Sequence, residues 1–378
     1  MPNQPFLSFP MMVTLVITLA GCLCGVFFGA AVPRLRWWKS AILLALSGAA
    51  AAGVYFWYGE AYLSAPLWTI YGAYLAVGWM MGLLMAFLPL FAVWLLSFFG
   101  KGRSFLSAMA LFVFLFCLGA GVYGAVDGNE RRDVDEIVLE VKGLPPAFDG
   151  FKIAQISDTH IGPYYRYASL DGDLFEAFQY KADVVAFTGD LIDDVRVMPE
   201  TARILDGRST LFPYGIDYIF GNHEYYRGKD YIESELKKTK VRILENDSTV
   251  IHKDGASLWI AGVDYPWGKK AALQGIEENL ADKAFADIPE GAAVILLGHH
   301  SDFIDEGRER GAFLTLTGHT HGLQTGLGGQ PIFPMYKYMR GMYSADGLYG
   351  YVNRGTGHWF PFRLGCSREM TIFTLKAK

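Results

Sequence analysis

The chain has 378 residues and a net charge of −5, but its charges are distributed very unevenly. Residues 1–126 contain six charged side chains and no histidine, whereas residues 127–378 contain the other 65 charged side chains and all eight histidines. This distribution excludes a wholly soluble globular protein, a disordered chain and a nucleic-acid-binding protein with a strongly basic domain. We therefore expect a membrane region, residues 1–126, followed by a soluble domain, residues 127–378.

Four apolar runs in the first part are long enough to cross a membrane as helices. A bilayer core about 30 Å thick requires roughly 20 apolar residues in a helix, and the runs cover about residues 11–32, 41–58, 66–99 and 105–126. No polar turn divides the long third run, so we expect one tilted helix, or one kinked at Pro89, rather than a re-entrant hairpin. The sequence therefore predicts a multi-pass protein of the cell membrane.

Basic residues between the runs predict the orientation. They lie in the first and third connections: Arg34, Arg36, Lys39, Lys101 and Arg103. Basic connections stay on the cytoplasmic side, so the domain after Val126 is expected to be extracytoplasmic. The alternative for the first run is a cleaved signal peptide, but residues 1–10 lack the Lys or Arg with which such a peptide begins.

Glycines recur four residues apart in the first and third runs. They are Gly21, Gly25, Gly29, Gly78 and Gly82. Small residues at this spacing allow helices to approach closely, so they predict packing within the four helices or, alternatively, a homo-oligomer formed through the same glycines. The runs contain no Asp or His, and a transport pathway built on buried ionisable groups therefore has no support. We interpret this part as an anchor.

From Glu136 onward, short β-rich runs alternate with polar segments of helical length. Apolar runs of this kind suit strands buried on both faces, and we expect strands at 137–141, 151–157, 184–188, 216–220, 258–263, 293–297, 313–317 and 370–375. Helices are expected near 170–180, 229–240, 274–285 and 303–310. The alternation predicts a layered α/β domain.

Five of these strands lead directly into side chains that can bind metal ions. The blocks are Asp158-Thr159-His160, Gly189-Asp190-Leu191-Ile192-Asp193, Gly221-Asn222-His223-Glu224, Gly298-His299-His300 and Gly318-His319-Thr320-His321. Ligands collect outside the carboxyl ends of strands in α/β sheets, so we expect the five blocks to share one edge. A single block is weak evidence, but coincidence does not account for five in succession.

The ligand types favour a pair of transition-metal ions. Carboxylate oxygens together with imidazole nitrogens favour Mn, Fe, Zn or Co over Ca. The expected ligands are Asp158, His160 and His321 for one ion and Asn222, His299 and His319 for the other, with Asp190 bridging. His223 would lie beside the site as a general acid. Two ions about 3.5–4 Å apart can activate a shared hydroxide and stabilise both the attacking and the leaving oxygen.

In this order the blocks resemble the calcineurin-like metallophosphoesterase superfamily, whose motifs run D-x-H, G-D-x-x-D, G-N-H-[DE], an isolated histidine and G-H-x-H. The similarity covers about residues 136–378, and segments 144–151 and 353–357 resemble its exported or membrane-anchored bacterial branch. The resemblance implies an α/β fold, a four-layer sandwich of two mixed sheets flanked by helices, here preceded by four transmembrane helices.

The same resemblance implies a role for each residue of the blocks. It implies one metal held by Asp158, His160, Asp190 and His321, and a second held by Asp190, Asn222, His299 and His319. It further implies a metal-bridging hydroxide that attacks phosphorus. His223 would protonate the leaving oxygen, and Asp193 would orient His223.

Two residues depart from the family pattern, and the roles of several histidines are not fixed by it. Leu323 replaces the usual second glycine after His321, and Ser301 stands where the branch commonly has proline. Spacing does not decide between His299 and His300 as the ligand; the strand end favours His299 and leaves His300 to face the substrate. The remaining histidines are expected on the surface or in loops without a site role: His252 and His358.

The predicted function is a metal-dependent phosphodiesterase or phosphatase acting on a lipid or lipid-linked phosphate, because an anchored site stays near lipid headgroups. The aromatic segments 164–167 and 333–338 are expected to contact apolar chains or to pack within the domain. The alternative is an enzyme like the UDP-2,3-diacylglucosamine pyrophosphatase of lipid A synthesis, but that substrate faces the cytosol, against the predicted orientation. A non-catalytic binding or signalling module would have lost ligands, and none is lost here. We expect no nucleic-acid partner for a domain of net charge −9.

Overall fold

The computed structural model describes residues 8–32, 35–99, 102–267, 275–327 and 330–378. Within these residues the chain divides into two compact units. The anchor unit comprises residues 1–130 together with 361–364, and the α/β unit comprises residues 131–360 and 365–378. Arg34 and Lys101, which contribute to the predicted orientation, lie outside the described residues.

The described part of the anchor unit contains four long helices: α1 (Phe9–Ala31), α2 (Trp37–Ala61), α3 (Thr69–Ser97) and α4 (Arg103–Glu130). At 1.5 Å per residue, helices of 23 to 29 residues exceed the thickness of a bilayer core. Their mean hydropathy of 1.6 to 2.4 is also high enough for a membrane span. Helix α3 passes through Pro89 as one helix.

Glycines bring the helices of the anchor unit close together. A Cβ atom on Gly25 would lie 2.5 Å from the Cα atom of Ala41 on α2, and one on Gly78 would lie 2.7 Å from the Cα atom of Val122 on α4. Both distances are shorter than any normal carbon–carbon contact, so only glycine fits. The glycine series therefore packs α1 against α2 and α3 against α4 within one chain, and this packing gives no support to the alternative of a homo-oligomer.

A short segment from late in the sequence completes the anchor unit. The Arg363 N–H donates to the Gly124 carbonyl at 2.9 Å, and the Asn129 side-chain amide donates to the Pro361 carbonyl at 2.9 Å. These bonds join residues 361–363 to the carboxyl-terminal half of α4. The sequence analysis does not predict this segment, since nothing in its composition distinguishes it from other loops.

The α/β unit contains two six-stranded sheets and a two-stranded hairpin among its described residues. The first sheet has the order β1 (Arg132–Val141), β14 (Arg368–Ala377), β2 (Lys152–Ile156), β3 (Val184–Thr188), β4 (Ile216–Ile219) and β5 (Arg242–Ile243). The second has the order β12 (Gly341–Ala345), β13 (Leu348–Val352), β9 (Leu314–Thr317), β8 (Val294–Leu297), β7 (Ala256–Gly262) and β6 (Asp247–Lys253). The hairpin is β10 (Gly326–Leu327) with β11 (Gln330–Pro331). Both large sheets are mixed, because β14 runs antiparallel to β2 and β6 runs antiparallel to β7.

The two sheets share a buried apolar core. One buried cluster contains Phe151, which directly precedes β2, and Ile153 of β2 in the first sheet, together with Ile295 and Leu316 from the second sheet. Helices cover the outer faces: α5 (Tyr167–Gln179), α6 (Met198–Ser209), α7 (Asn222–Arg227), α8 (Lys229–Leu236), α9 (Ile276–Phe285) and α10 (Phe303–Glu309). The prediction of a four-layer α/β sandwich after four apolar helices is confirmed.

Some elements lie where the sequence analysis expects none. Strands β12 and β6 are at the edges of the second sheet, and most of their side chains are exposed or half-buried. They therefore lack the continuous apolar runs that mark the inner strands. Helix α7 has only six residues, which is too short for a helical period to be recognised.

Candidate metal centre

Five parallel strands place the predicted blocks at one edge of the α/β unit. Strands β2, β3 and β4 of the first sheet and β8 and β9 of the second all run toward this edge. Backbone hydrogen bonds join the loops beyond the strands: Asp158 N–H to Gly189 O, His160 N–H to Asp190 O and Gly318 N–H to His299 O, each at 3.0 Å. The loops thus form one connected layer that holds the side chains.

The first group of ligand atoms consists of Asp158, His160 and His321, all buried. The Nε2 atoms of the two histidines lie 3.0 Å apart, and His321 Nε2 lies 3.3 Å from Asp158 Oδ1. Asp158 is itself fixed, because its carboxylate accepts the backbone N–H of His319 at 3.1 Å. Three ligand atoms therefore converge on one point.

The second group consists of Asp190, His299 and His319, with Asn222 beside them. His299 Nε2 lies 3.3 Å from Asp190 Oδ2 and 3.2 Å from Asn222 Oδ1. His319 Nδ1 lies 2.9 Å from the same Asn222 oxygen and 3.3 Å from His299 Nε2. This is a second convergence of nitrogen and oxygen atoms.

Asp190 lies between the two groups. Its Oδ2 atom is 3.6 Å from His160 Nε2 in the first group and 3.3 Å from His299 Nε2 in the second. One carboxylate oxygen therefore faces both sets of ligand atoms, which is the position that a residue shared by two ions would occupy.

Other bonds fix the orientation of the histidine rings. His299 Nδ1 lies 2.7 Å from the Thr188 carbonyl, so this nitrogen donates a proton to the carbonyl and Nε2 is the ring atom that faces Asp190. The Tyr336 hydroxyl lies 3.3 Å from His319 Nε2, which leaves Nδ1 of His319 to face the group. Outer contacts of this kind preset rings for metal coordination.

The backbone at the site adopts an uncommon conformation. Five of the seven expected ligands have positive φ angles: Asp158 (52°), His160 (48°), Asp190 (53°), His319 (70°) and His321 (50°). The left-handed region costs a non-glycine residue on the order of 1–3 kcal/mol and is concentrated at functional sites. The connected loops hold the ligands in these conformations.

Glycines in the blocks allow backbones to approach ligand side chains. A Cβ atom on Gly221 would lie 2.6 Å from Asp190 N, and one on Gly318 would collide with the carboxylate of Asp158. Any larger residue at either position would displace a ligand.

His223 pairs with Asp193 at the side of the first group. Its Nδ1 lies 2.5 Å from Asp193 Oδ1, and its ring centre lies 4.4 Å from that of His160. Burial acts to lower the pKa of His223, but the bond to Asp193 and the charge of Asp190 outweigh it and raise the pKa to about 9. His223 therefore holds a proton at neutral pH and can donate it.

Glu224 is a positioning residue that the sequence analysis leaves without a role. Its buried carboxylate accepts the N–H groups of Gly221 and Leu191 at 2.7 Å and that of Asp190 at 3.1 Å. It thereby joins the loops after β3 and β4. The available signal was its place three residues after Gly221, where an acidic side chain closes a capping box at the start of α7.

The remaining histidines lie elsewhere. His300 is outside both groups, with its Nδ1 3.8 Å from Glu277 Oε1 and 3.6 Å from Asp302 Oδ2. His252 is exposed on β6, as expected. His358 is in a loop, which agrees with the expectation, and its side chain is buried; the neighbouring residue Gly357 packs its backbone against Thr159.

The donor atoms fit divalent cations. Burial opposes the ionised form of Asp158 and Asp190, but neighbouring histidines outweigh it and hold the pKa of both carboxyls below the usual range. Two imidazole nitrogens at 3.0 Å can share at most one proton, so a cation satisfies the converging lone pairs of His160 and His321 better than protons do. The set of imidazole, carboxylate and amide ligands suits Mn, Fe, Zn or Co.

Comparison with known proteins decides the family. The model of the calcineurin-like phosphoesterases matches residues 151–323. The uncharacterized metallophosphoesterase YkuE of Bacillus subtilis is 31% identical over 287 residues, which cover 73% of this chain and 97% of that protein. The chain belongs to the calcineurin-like metallophosphoesterases. It is a metal-dependent phosphoester hydrolase.

Other similar proteins are more distant. A bovine transmembrane protein with metallophosphoesterase domain is 26% identical, over 68% of this chain and 60% of that protein. The NAD nucleotidase of Haemophilus influenzae has a TM-score of 0.36 and 16% identity, over 54% of this chain and 45% of its own. A dimetal phosphatase of Danio rerio has a TM-score of 0.33 and 13% identity, over 56% of this chain and 90% of its own.

In this metallophosphoesterase the two departures from the motif pattern lie beside the ligand groups. Leu323 occupies the left-handed region with a φ angle of 58°, which explains why glycine is usual at this position. Ser301 is buried, and Asp302 separates it from the start of α10. Neither side chain belongs to the two ligand groups.

Proposed function

We propose that this metallophosphoesterase is a membrane-anchored enzyme with two metal ions that hydrolyses a lipid or lipid-linked phosphate ester. The observation that carries the dinuclear assignment is the position of Asp190, whose single Oδ2 atom faces both groups of ligand atoms. A site for one ion would need no such residue.

The ligand sets follow from the two groups. Asp158, His160, Asp190 and His321 would hold one ion, and Asp190, Asn222, His299 and His319 would hold the other. Two divalent ions supply an activated water and neutralise charge on the phosphoryl oxygens.

The chain's own residues supply the proton and its position. His223 gives the proton on its Nε2 atom to the leaving oxygen, because its Nδ1 atom is held by Asp193 at 2.5 Å. Asp193 keeps the imidazole charged and oriented, and its Oδ1 atom also lies 3.4 Å from His160 Nδ1. Leaving-group protonation and ligand positioning are thereby linked through one carboxylate.

The proposal of membrane anchoring is supported by the four apolar helices. The proposal of a lipid substrate follows from the anchoring, because an anchored site stays near lipid headgroups. The bovine relative, named a transmembrane protein, supports the same location. The basic connections between the helices favour an extracytoplasmic position for the α/β unit. A reporter fused after Lys378 tests this side: activity of a periplasmic reporter is expected, and activity of a cytoplasmic reporter alone contradicts it.

The first test removes the shared ligand from the full chain in detergent. Asp190→Ala is expected to lose bound metal, measured by mass spectrometry, and to lower the hydrolysis of bis(4-nitrophenyl) phosphate with Mn²⁺ by at least about 10³-fold. Asp171→Ala is the control, since Asp171 pairs with Arg208 on the surface. Full activity of Asp190→Ala would refute the dinuclear proposal.

The second test separates proton donation from metal binding. His223→Gln is expected to keep the metal content and to lower kcat by about 10²–10⁴-fold, as loss of a general acid does. The defect should shrink for esters whose leaving group needs no proton. Loss of metal from His223→Gln, or an equal defect for all leaving groups, contradicts the assigned role. Hydrolysis screens on membrane phospholipids and nucleotide-linked lipids then identify the substrate class.

A further inference from the structure

An exposed apolar patch lies beside the metal centre. Four side chains within nine residues form it, and we call it the apolar loop: Leu327 (83% exposed), Ile332 (51%), Phe333 (70%) and Met335 (71%). Residues 326–336 contain no charged side chain. Single exposed apolar residues are common on soluble proteins, but four of them within nine residues without a charge indicate a contact surface.

The apolar loop leads directly to a residue that contacts an expected metal ligand. Tyr336 follows Met335, and its hydroxyl lies 3.3 Å from His319 Nε2. The Tyr336 ring centre lies 5.4 Å from that of His319 and 5.7 Å from that of His300. Met335 is therefore adjacent in sequence to a residue that touches the metal centre.

Two contacts within the α/β unit hold the base of the apolar loop. The Gln324 side-chain amide donates to the Phe360 carbonyl at 2.7 Å, and the backbones of Gly326 and Gly365 are in close approach. Phe360 and Gly365 flank residues 361–364, which belong to the anchor unit. Trp359, 53% exposed, precedes this segment, and tryptophan is typical of the membrane interface.

We propose that the apolar loop inserts into the surface of the lipid bilayer and presents the metal centre to phosphate esters of the membrane. The occupant is lipid because the same chain carries four helices whose length and composition suit a bilayer, and because the loop exposes four apolar side chains and carries no charge. Apolar side chains that insert at the boundary between headgroups and acyl chains contact the acyl chains, and the neighbouring site then faces the headgroup phosphates. The inference rests on the proposed anchoring and deepens the proposed function.

A fluorescence experiment on the full chain tests this without requiring turnover. Met335→Cys is labelled with an environment-sensitive fluorophore and reconstituted in vesicles of phosphatidylcholine and phosphatidylglycerol that contain lipids brominated on the acyl chain near the headgroup. The matched control is Phe178→Cys on α5, a side chain 42% exposed in the same unit. The unsubstituted chain gives the background of its four native cysteines.

Brominated lipid is expected to quench the label at 335 at least twofold more than the label at 178. Equal quenching overturns the inference, and so does a blue shift at 335 without lipid quenching, which would indicate a protein partner such as a second copy. Metal content confirms that each labelled protein is folded. Lipid quenching at 335 in a chain that hydrolyses no phosphate ester refutes the proposed function alone; hydrolysis without quenching refutes this inference alone.

Discussion

The anchor unit and the α/β unit both depend on glycine where two backbones meet, but the glycines serve different purposes. In the anchor unit, Gly25 and Gly78 let helices pack at distances that no side chain permits. In the α/β unit, Gly221 and Gly318 let loops close around the carboxylates of Asp190 and Asp158. The first use maintains the shape of a bundle, whereas the second maintains the position of charge. Substitutions should therefore fail in different ways in the two units.

The largest effect is expected at the metal centre. A Cβ atom on Gly221 would meet Asp190, so Gly221→Ala should displace that carboxylate, and a misplacement of about 1 Å costs about 10²-fold in rate. Activity on a soluble ester and bound metal should fall together. Gly162→Ala is the matched control, since its Cβ would meet no atom closer than 3.6 Å. Equal activity of the two variants would contradict the close approach.

The corresponding change in the anchor unit should affect stability instead. Gly121→Val on α4 would drive side-chain atoms into the backbone of Gly78 and Gly82, and overpacking of this kind costs about 1–3 kcal/mol. Gly119→Val, two residues away, meets nothing within 4 Å. The thermal unfolding temperature in detergent should fall for Gly121→Val but not for Gly119→Val. A similar loss in both would show that helix propensity rather than packing is responsible.

A change that preserves shape sharpens the comparison. Glu224→Gln keeps the size of the side chain but replaces an acceptor that binds three backbone N–H groups with an amide. Loss of such an outer contact typically costs 10- to 100-fold in metal affinity or activity, and we expect about 10-fold. Glu235→Gln, which removes a surface pair with Lys238, is the control. Higher metal concentration should partly rescue Glu224→Gln, and failure of any rescue would contradict a positioning role.

The inner strands and the ligand blocks could be predicted because burial on both faces leaves a visible apolar run. Strand β3 has the same bounds in the prediction and in the structure, and Asp190 follows it by two residues. The family resemblance then names the ligands. Edge strands such as β12 could not be predicted, since partial exposure removes the apolar run.

The geometry of the site could not be predicted from the same residues. Nothing local requires the left-handed backbone of His160 or His321; the joined loops impose it. Glu224 likewise gains its role only when the loops after β3 and β4 come together. The ligand side chains can thus be predicted from the sequence, whereas the contacts between distant loops become visible only in the folded structure.

The smallest effect at neutral pH is expected from a change of charge alone. Asp193→Asn keeps the shape beside His223 but removes the negative charge that raises the pKa of that histidine to about 9. The active form of His223 is protonated, so activity should decline as pH rises through this pKa. Without the charge the pKa of His223 should move toward about 6.5. The pH above which activity declines is then lower, and activity should fall about fourfold at pH 7 and less at pH 6. Asp194→Asn, the neighbouring residue that pairs with Arg196, is the control. Measured pH–rate profiles decide the point, because an unchanged alkaline limit in Asp193→Asn would show that the charge of Asp193 does not set the proton on His223.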